Sequence, residues 1–219
     1  MGKLSDAISA YNREKARLIP EETLGVMAQA TSDLKASGIE DRAVKAGDRM
    51  PDFELPNQFG DRRRFSDYLS RSPVVLNIYR GGWCPYCNME MKALHDTLPM
   101  IVSAGARLIG MAPETPDKAE LTSLHHELEI DILSDQGNLV SERLGLVYEL
   151  PEVLRPIYQS LGIDIPAYNG DLSFTLPIPA TYIVRQDGVI AYAFINADYT
   201  QRMEPSEIVT QVGLLANAA

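Results

Sequence analysis

Cysteine is scarce in this chain. It occurs twice in 219 residues, as Cys84 and Cys87, with only Pro85 and Tyr86 between. A structural disulfide between such close neighbours would close a tiny loop and remove little chain entropy. In a reducing compartment this spacing points to catalysis or to metal binding. Long apolar runs are lacking as well. Nothing approaches the ~20 residues a spanning helix needs. Residues 1–20 interleave Lys3, Asp6, Arg13, Glu14, Lys15 and Arg17 with apolar positions, unlike a signal peptide. The expectation is a cytoplasmic protein with no membrane partner. Basic charge is short too. A net charge of −10 repels phosphate backbones, so no nucleic-acid partner is expected. The basic cluster Arg62-Arg63-Arg64, between Asp61 and Asp67, reads as the solvated edge of a strand. Of the three histidines, His95 lies two turns beyond the cysteines on one expected helix, and His125-His126 read as helix surface. Two thiolates need two further ligands to hold zinc, so neither a metal nor another cofactor is expected.

What is present is periodic. Leu4, Ile8, Tyr11, Lys15 and Leu18 follow helical spacing. Pro20 interrupts, and Leu24, Met27 and Leu34 continue on a second helix ending near Gly38. From Gly47 the pattern changes to short strands and turns. Pro73 to Tyr79 is a nearly continuous, β-branched run, as a strand covered on both faces reads. Gly81-Gly82 breaks it, and a helix is expected from Pro85 to Ser103. Further strands are expected over 106–111 and 130–133, with a helix over 116–128 between them. A helical stretch over 138–162 and an irregular loop over 163–178 follow. Ala180–Val184 and Val189–Ile195 form a hairpin about Gln186-Asp187-Gly188, and a last helix opens near Pro205. The pattern predicts an α/β fold, a mixed sheet with helices on both faces. It divides into a helical extension over 1–46 and one domain over 47–219, with an insertion around 138–178. The extension reads as a packing or dimerising element, so a homodimer is a possible assembly.

The cysteines fall where the buried strand meets a helix. With Cys84 as N-cap, Pro85 occupies the first helical position, where its missing N–H costs nothing. Cys87 then follows one turn later on the same face, within reach of a disulfide. The free amides of that first turn and the helix dipole lower the Cys84 pKa below its usual ~8.5. A thiolate so formed attacks disulfides or peroxides, and the neighbouring thiol resolves the intermediate. A redox sensor or a metal-binding module is the non-enzymatic alternative.

The segment YRGGWCPYCNMEM at 79–91 resembles the peroxiredoxin-like branch of the alkyl hydroperoxide reductase/thiol-specific antioxidant (AhpC/TSA) family, within the thioredoxin superfamily. The likeness extends through GDRMPDFELPNQFG at 47–60, LSDQGNLVSERLGLVYEL at 133–150 and LPIPATYIVRQDGVI at 176–190. It implies a thioredoxin-like fold. It also implies Cys84 as nucleophile and Cys87 as resolver, with Arg80, Trp83, Pro85, Tyr86 and Pro179 as support. A cis Ile178-Pro179 bond opposite the cysteines belongs to the same expectation. Typical peroxiredoxins use a Pro-x-x-x-Thr/Ser-x-x-Cys motif and a distant arginine. Aligning that cysteine with Cys87 puts Cys84 at the Thr position, Arg80 at the Pro position and Pro179 at the distant arginine. The resemblance with these departures puts first a dithiol/disulfide oxidoreductase acting on disulfide substrates. The alternative is a thiol peroxidase acting on hydrogen peroxide or alkyl hydroperoxides, with Cys87 or Cys84 attacked first. Either draws electrons from a thiol reductant such as a thioredoxin or a glutathione-type system.

Overall fold

The computed structural model describes residues 3–216. Two helices open the described chain, α1 (Leu4–Leu18) and α2 (Glu21–Ala36), and a short α3 (Ile39–Arg42) follows Gly38. A small hairpin, β1 (Glu54–Pro56) with β2 (Arg62–Arg64), leads through α4 (Phe65–Leu69) into β3 (Val74–Ile78). The arginines of β2 are ion-paired with Glu54, Asp61, Asp131 and Asp52 on this edge. Next come α5 (Pro85–Ser103), β4 (Arg107–Ala112), α6 (Pro116–His125) and β5 (Ile132–Ser134). After α7 (Leu139–Arg143), β6 (Val147–Glu149), α8 (Arg155–Ser160) and α9 (Ile165–Asn169), the chain returns through β7 (Thr175–Pro177). It ends with β8 (Ala180–Val184), β9 (Ile190–Ile195) and α10 (Pro205–Ala216).

The central sheet has the order β5-β4-β3-β8-β9. Its β3, β4 and β5 are parallel, while β8 runs antiparallel to both β3 and β9. Strand β3 is buried along its whole length, and its pleat divides two cores. Val74, Leu76 and Ile78 face one layer with Phe53, Phe65 and Tyr182. Val75 and Tyr79 face the other with Met91, Leu94, Ile208 and Val212 from α5 and α10, and both cysteines lie in this layer. The mixed sheet with helices on both faces is the architecture the apolar pattern called for. Among the described residues no helix is long and apolar enough to cross a membrane.

Three expectations are corrected. The stretch 138–162 is not helical throughout: the three-residue strand β6 interrupts it, too short to show a period. The stretch 163–178 is not irregular: it contains α9, capped by the Asp164 carboxylate accepting from Ala167 N, and β7, paired with β6. Both are too short to show a period. The Ile178-Pro179 bond is trans, as are all peptide bonds of the described residues. The chain runs extended from β7 directly into β8, with Ile178 N donating to Leu146 O. No tight turn occurs there, and a trans proline opening a strand suits that path.

Helix α1 docks through Leu4 and Ile8, which enter the cysteine-bearing core. Burying each contributes about 1.5–3 kcal/mol. No side chain of its own caps α1; instead Glu204, just before α10, accepts from Leu4 N (3.1 Å) and Ser5 N (2.8 Å). Burial pushes the Glu204 carboxyl up, but these hydrogen bonds and the charge of Lys3 bring it below the usual carboxylate range. Glu204→Ala is expected to cost about 1 kcal/mol and to speed amide hydrogen exchange in α1 while leaving β3 protected. Because the carboxyl is depressed, the wild type should show the same loosening as pH falls through that group's titration. Unchanged exchange in α1 would remove Glu204 as its anchor.

Candidate active site

Past Ile78 the chain stays buried through Tyr79 and Arg80 and then turns on two glycines. Gly81 has φ +141°, and the Trp83 indole folds back against it. A Cβ at 81 would lie 2.4 Å from Trp83 Nε1, and one at 82 would lie 2.1 Å from Thr122 Oγ1. Only glycine passes both points. Gly82 N donates to Glu114 Oε1 (2.7 Å), and Asn88 Nδ2 donates to Gly82 O (2.8 Å). The turn is thereby tied to the end of β4 and to the first turn of α5. Cys84 is the N-cap of α5 and Pro85 its first residue.

Both cysteines are free thiols, with Cys84 1% and Cys87 0% exposed. Each faces its own buried guanidinium. Arg80 Nη1 lies 3.9 Å from Cys84 Sγ, and its Nη2 donates to Tyr158 Oη at 2.7 Å. The Arg80 guanidinium sits 4.4 to 5.7 Å from the ring centres of Tyr199, Trp83 and Tyr158, within the range of cation–π attraction. Arg202, in the loop between β9 and α10, brings Nη2 to 3.3 Å from Cys87 Sγ. Its Nε donates to Glu90 Oε2 at 2.7 Å, and its Nη1 donates to the carbonyls of Tyr199 and Gln201.

Burial alone would raise the Cys84 thiol. The hydrogen bond from the Cys87 thiol and the charges of Arg80 and Arg202 reverse this and hold Cys84 well below the ordinary thiol range. Cys87 moves the other way, raised by burial and by the adjacent Cys84 against the pull of Arg202. The two sulfurs, one helical turn apart, are thus driven in opposite directions, Cys84 toward the thiolate and Cys87 toward the thiol. Cys84 also opens on a cavity of about 210 Å³, walled by Arg80, Trp83, Tyr86, Tyr158 and Tyr199 and closed by Tyr11 and Lys15 of α1. Cys87 does not line it. Tyr86 fastens this roof, donating to Asn12 Oδ1 (2.6 Å) and packing edge-on to Tyr11.

Of the residues singled out in the sequence, Arg80, Trp83, Cys84, Pro85 and Tyr86 line this one cavity. Pro179 is buried at the same end of the sheet, one residue before Ala180, which pairs with Ile78. It is not among the cavity residues. Sequence reasoning missed Arg202, Glu90, Glu114, Tyr158 and Tyr199. One signal was available for two of them. Glu90 follows Cys87 by three residues and therefore shares its buried helix face, and a carboxylate there requires a cation. That cation is Arg202, an arginine distant in sequence from the cysteines that the alignment with Pro179 could not supply.

Glu114 is fully buried, accepting from Gly82 N and more loosely from Tyr79 Oη and Thr122 Oγ1 (3.4 Å each). Burial outweighs these donors and raises its pKa to about 7. Between its ordinary value and 7 the folded state holds the proton more tightly than the unfolded state, so stability falls as pH rises. The loss reaches about 3 kcal/mol at most by pH 8. Chemical unfolding at pH 5 and pH 8 should show this slope in the wild type and a flatter one in Glu114→Gln. Equal slopes would mean that Glu114 ionises freely in the native protein.

The comparisons with known proteins agree with this architecture. The chain is 28% identical over 153 residues to a putative chloroplastic peroxiredoxin Q of Oryza sativa subsp. indica, covering 70% of this chain and 60% of that protein. It is 28% identical over 103 residues to peroxiredoxin Bcp of Escherichia coli K12, covering 47% of this chain and 65% of that protein. It thus spans somewhat under two thirds of the length of these curated relatives. The crystal structure of peroxidoxin BcpB from Mycobacterium tuberculosis superposes with a TM-score of 0.62 at 22% identity, over 78% of this chain and 98% of that one. A yeast mitochondrial 1-Cys peroxiredoxin gives 0.59 at 16% identity, over 80% and 78%. These likenesses establish the thioredoxin-type fold. The model of the AhpC/TSA family matches residues 46–193, and the chain is a member of that family.

Proposed function

We propose that this protein is a thiol peroxidase in which Cys84 reduces hydroperoxides and Cys87 resolves the product. The observation that carries the reading is the pair of sulfurs driven in opposite directions, each beside its own buried arginine. The Cys84 thiolate attacks the terminal peroxide oxygen; the S–O bond forms, the O–O bond breaks, and the leaving oxygen takes a proton to depart as water or an alcohol. Arg80 stands beside this sulfur and stabilises the charge that moves onto the leaving oxygen. The Cys87 sulfur then attacks the Cys84 sulfenic acid. The S–S bond forms, and the hydroxyl of the sulfenic acid leaves with the Cys87 proton as water. Arg202 lowers the cost of the negative charge that Cys87 carries as it attacks.

Exchange with disulfide substrates, which the sequence put first, takes second place. Two features of the site support the change of order. Arg202 supplies a cation that the alignment lacked, and the roofed cavity over Cys84 suits a peroxide better than a protein disulfide. The peroxiredoxin names of the rice and E. coli relatives point the same way. In this reading residues 1–46 complete the site and residues 47–219 form the redox domain, and the setting is cytoplasmic.

Stopped-flow mixing of the reduced protein with hydrogen peroxide and an alkyl hydroperoxide tests the assignment. Cys84→Ser should abolish the fast phase. Cys87→Ser should keep it and accumulate a sulfenic acid that a dimedone probe captures. Arg80→Met should slow it by about 10²–10³. A fast phase lost in Cys87→Ser and kept in Cys84→Ser would reverse the two roles. Oxidation by a model protein disulfide outpacing both peroxides would restore the dithiol exchange reading.

A further inference from the structure

The reducing half of the cycle leaves its own mark on the surface around α1. A groove of about 500 Å³ runs between α1, α2 and the loop after β9, lined by Asn12, Lys15, Thr31, Lys35, Asp198 and Thr200. It adjoins the Cys84 cavity: Lys15, Met27, Tyr86 and Tyr199 belong to the walls of both. An outer basin and an inner chamber thus meet at Lys15 and Tyr86.

The charges of this double cavity are incomplete. Among the described residues neither Lys15 nor Lys35 is ion-paired. Half-buried Lys15 lies 5.6 and 5.9 Å from the ring centres of Tyr86 and Tyr199, and its one hydrogen bond is a long one to Tyr86 Oη (3.5 Å). Asp198 lies on the same groove and its charge reaches Lys15, but its carboxylate is turned to its own loop, Oδ1 accepting from Thr200 N and Thr200 Oγ1 and Oδ2 from Gln201 Nε2 (3.4 Å). In the inner chamber Arg80 is 1% exposed, and its Nε is buried without a partner. While Cys84 is a thiolate, that sulfur offsets the guanidinium. Once Cys84 and Cys87 join as a disulfide, the negative charge is gone and Arg80 faces the cavity uncompensated. A buried uncompensated cation is costly, so the oxidised chamber favours an anion.

We infer that the outer groove and the Cys84 cavity together bind a low-molecular-weight thiol carrying a carboxylate, and that this class of thiol, not a protein dithiol, reduces the enzyme. This rests on the peroxidase reading for the origin of the disulfide. The carboxylate pairs with Lys15 at the junction, Lys35 adds its charge at the mouth, and the thiolate enters the chamber beside Arg80. It attacks Cys84 Sγ, the sulfur that lines the cavity. The new S–S bond forms as the Cys84–Cys87 bond breaks, and Cys87 leaves as a thiolate held by Arg202. A second thiolate attacks the ligand sulfur of the mixed disulfide. The external disulfide departs, Cys84 is a thiolate again and Cys87 takes up a proton. Two thiols are oxidised and one enzyme disulfide is reduced.

The test begins from the full chain oxidised with diamide, the intramolecular disulfide confirmed by mass, so that it does not depend on peroxide chemistry. Reduction is followed by Trp83 fluorescence with mercaptopropionate, with its neutral counterpart mercaptoethanol, with glutathione, and with a reduced thioredoxin, all rates expressed per thiolate. The anionic thiols should exceed mercaptoethanol by about tenfold, the size of one favourable charge contact in a partly buried site. Lys15→Gln should erase the ratio between mercaptopropionate and mercaptoethanol, and Lys15→Arg should restore it. Thioredoxin reducing the wild type faster than any small thiol would overturn the inference, as would an unchanged ratio in Lys15→Gln. If peroxide fails to oxidise the reduced enzyme while the charge preference holds, the peroxidase reading falls and the thiol site stands.

Discussion

The site depends on a closed account of buried charge. Arg80 and Arg202 are both withdrawn from water, and Glu90 beside Arg202 supplies one negative charge. Each buried ion costs several kcal/mol in lost hydration unless a partner offsets it. Arg80 and Arg202 both draw the Cys84 pKa down, and Arg80 is held in addition by Tyr158 and by the rings of Trp83 and Tyr199. Helix α5 contributes its N-terminal amides, but the larger charges come from elsewhere in the chain.

The surrounding structure serves to hold those charges at fixed separations. The Gly81-Gly82 turn lets the chain pass close to Trp83 and Thr122, and Glu114 fixes its amide. Tyr158 anchors Arg80 from α8, and Tyr199 stacks on it from the loop after β9. Asn77 contributes from β3, donating to Thr181 Oγ1. These segments, far apart in sequence, converge on the surroundings of the two sulfurs.

The same account separates the chemistry of the two oxidation states. In the proposed cycle the reduced chamber, with Cys84 drawn toward the thiolate, suits a small neutral oxidant. In the proposed disulfide state Arg80 would face the cavity without that charge, and an anion would complete it. Helix α1, tied down by Glu204 and by Tyr86 bonded to Asn12, makes the chamber small enough for this difference to matter. An open dithiol site, bathed in water and salt, would screen it.

Much of this was legible locally. The β-branched run at 74–78, the paired glycines, Cys84 ahead of Pro85, and the turn at Asp187-Gly188 specify a buried strand, a break, a capped helix and a hairpin. Each acts within a few residues, through sterics and backbone hydrogen bonding. Short elements such as α9 and β7 escaped because three to five residues carry no period, and the trans Ile178-Pro179 bond follows from the path of a chain passing between two sheets. By itself the sequence determined the fold class and the two sulfurs at the head of a helix. Only the tertiary structure decided which charges surround them. Arg202 lies 115 residues from Cys87, and Tyr158 lies 78 from Arg80. Coulombic and hydrogen-bonding energies in a dry interior depend on distances in space, which sequence spacing does not report.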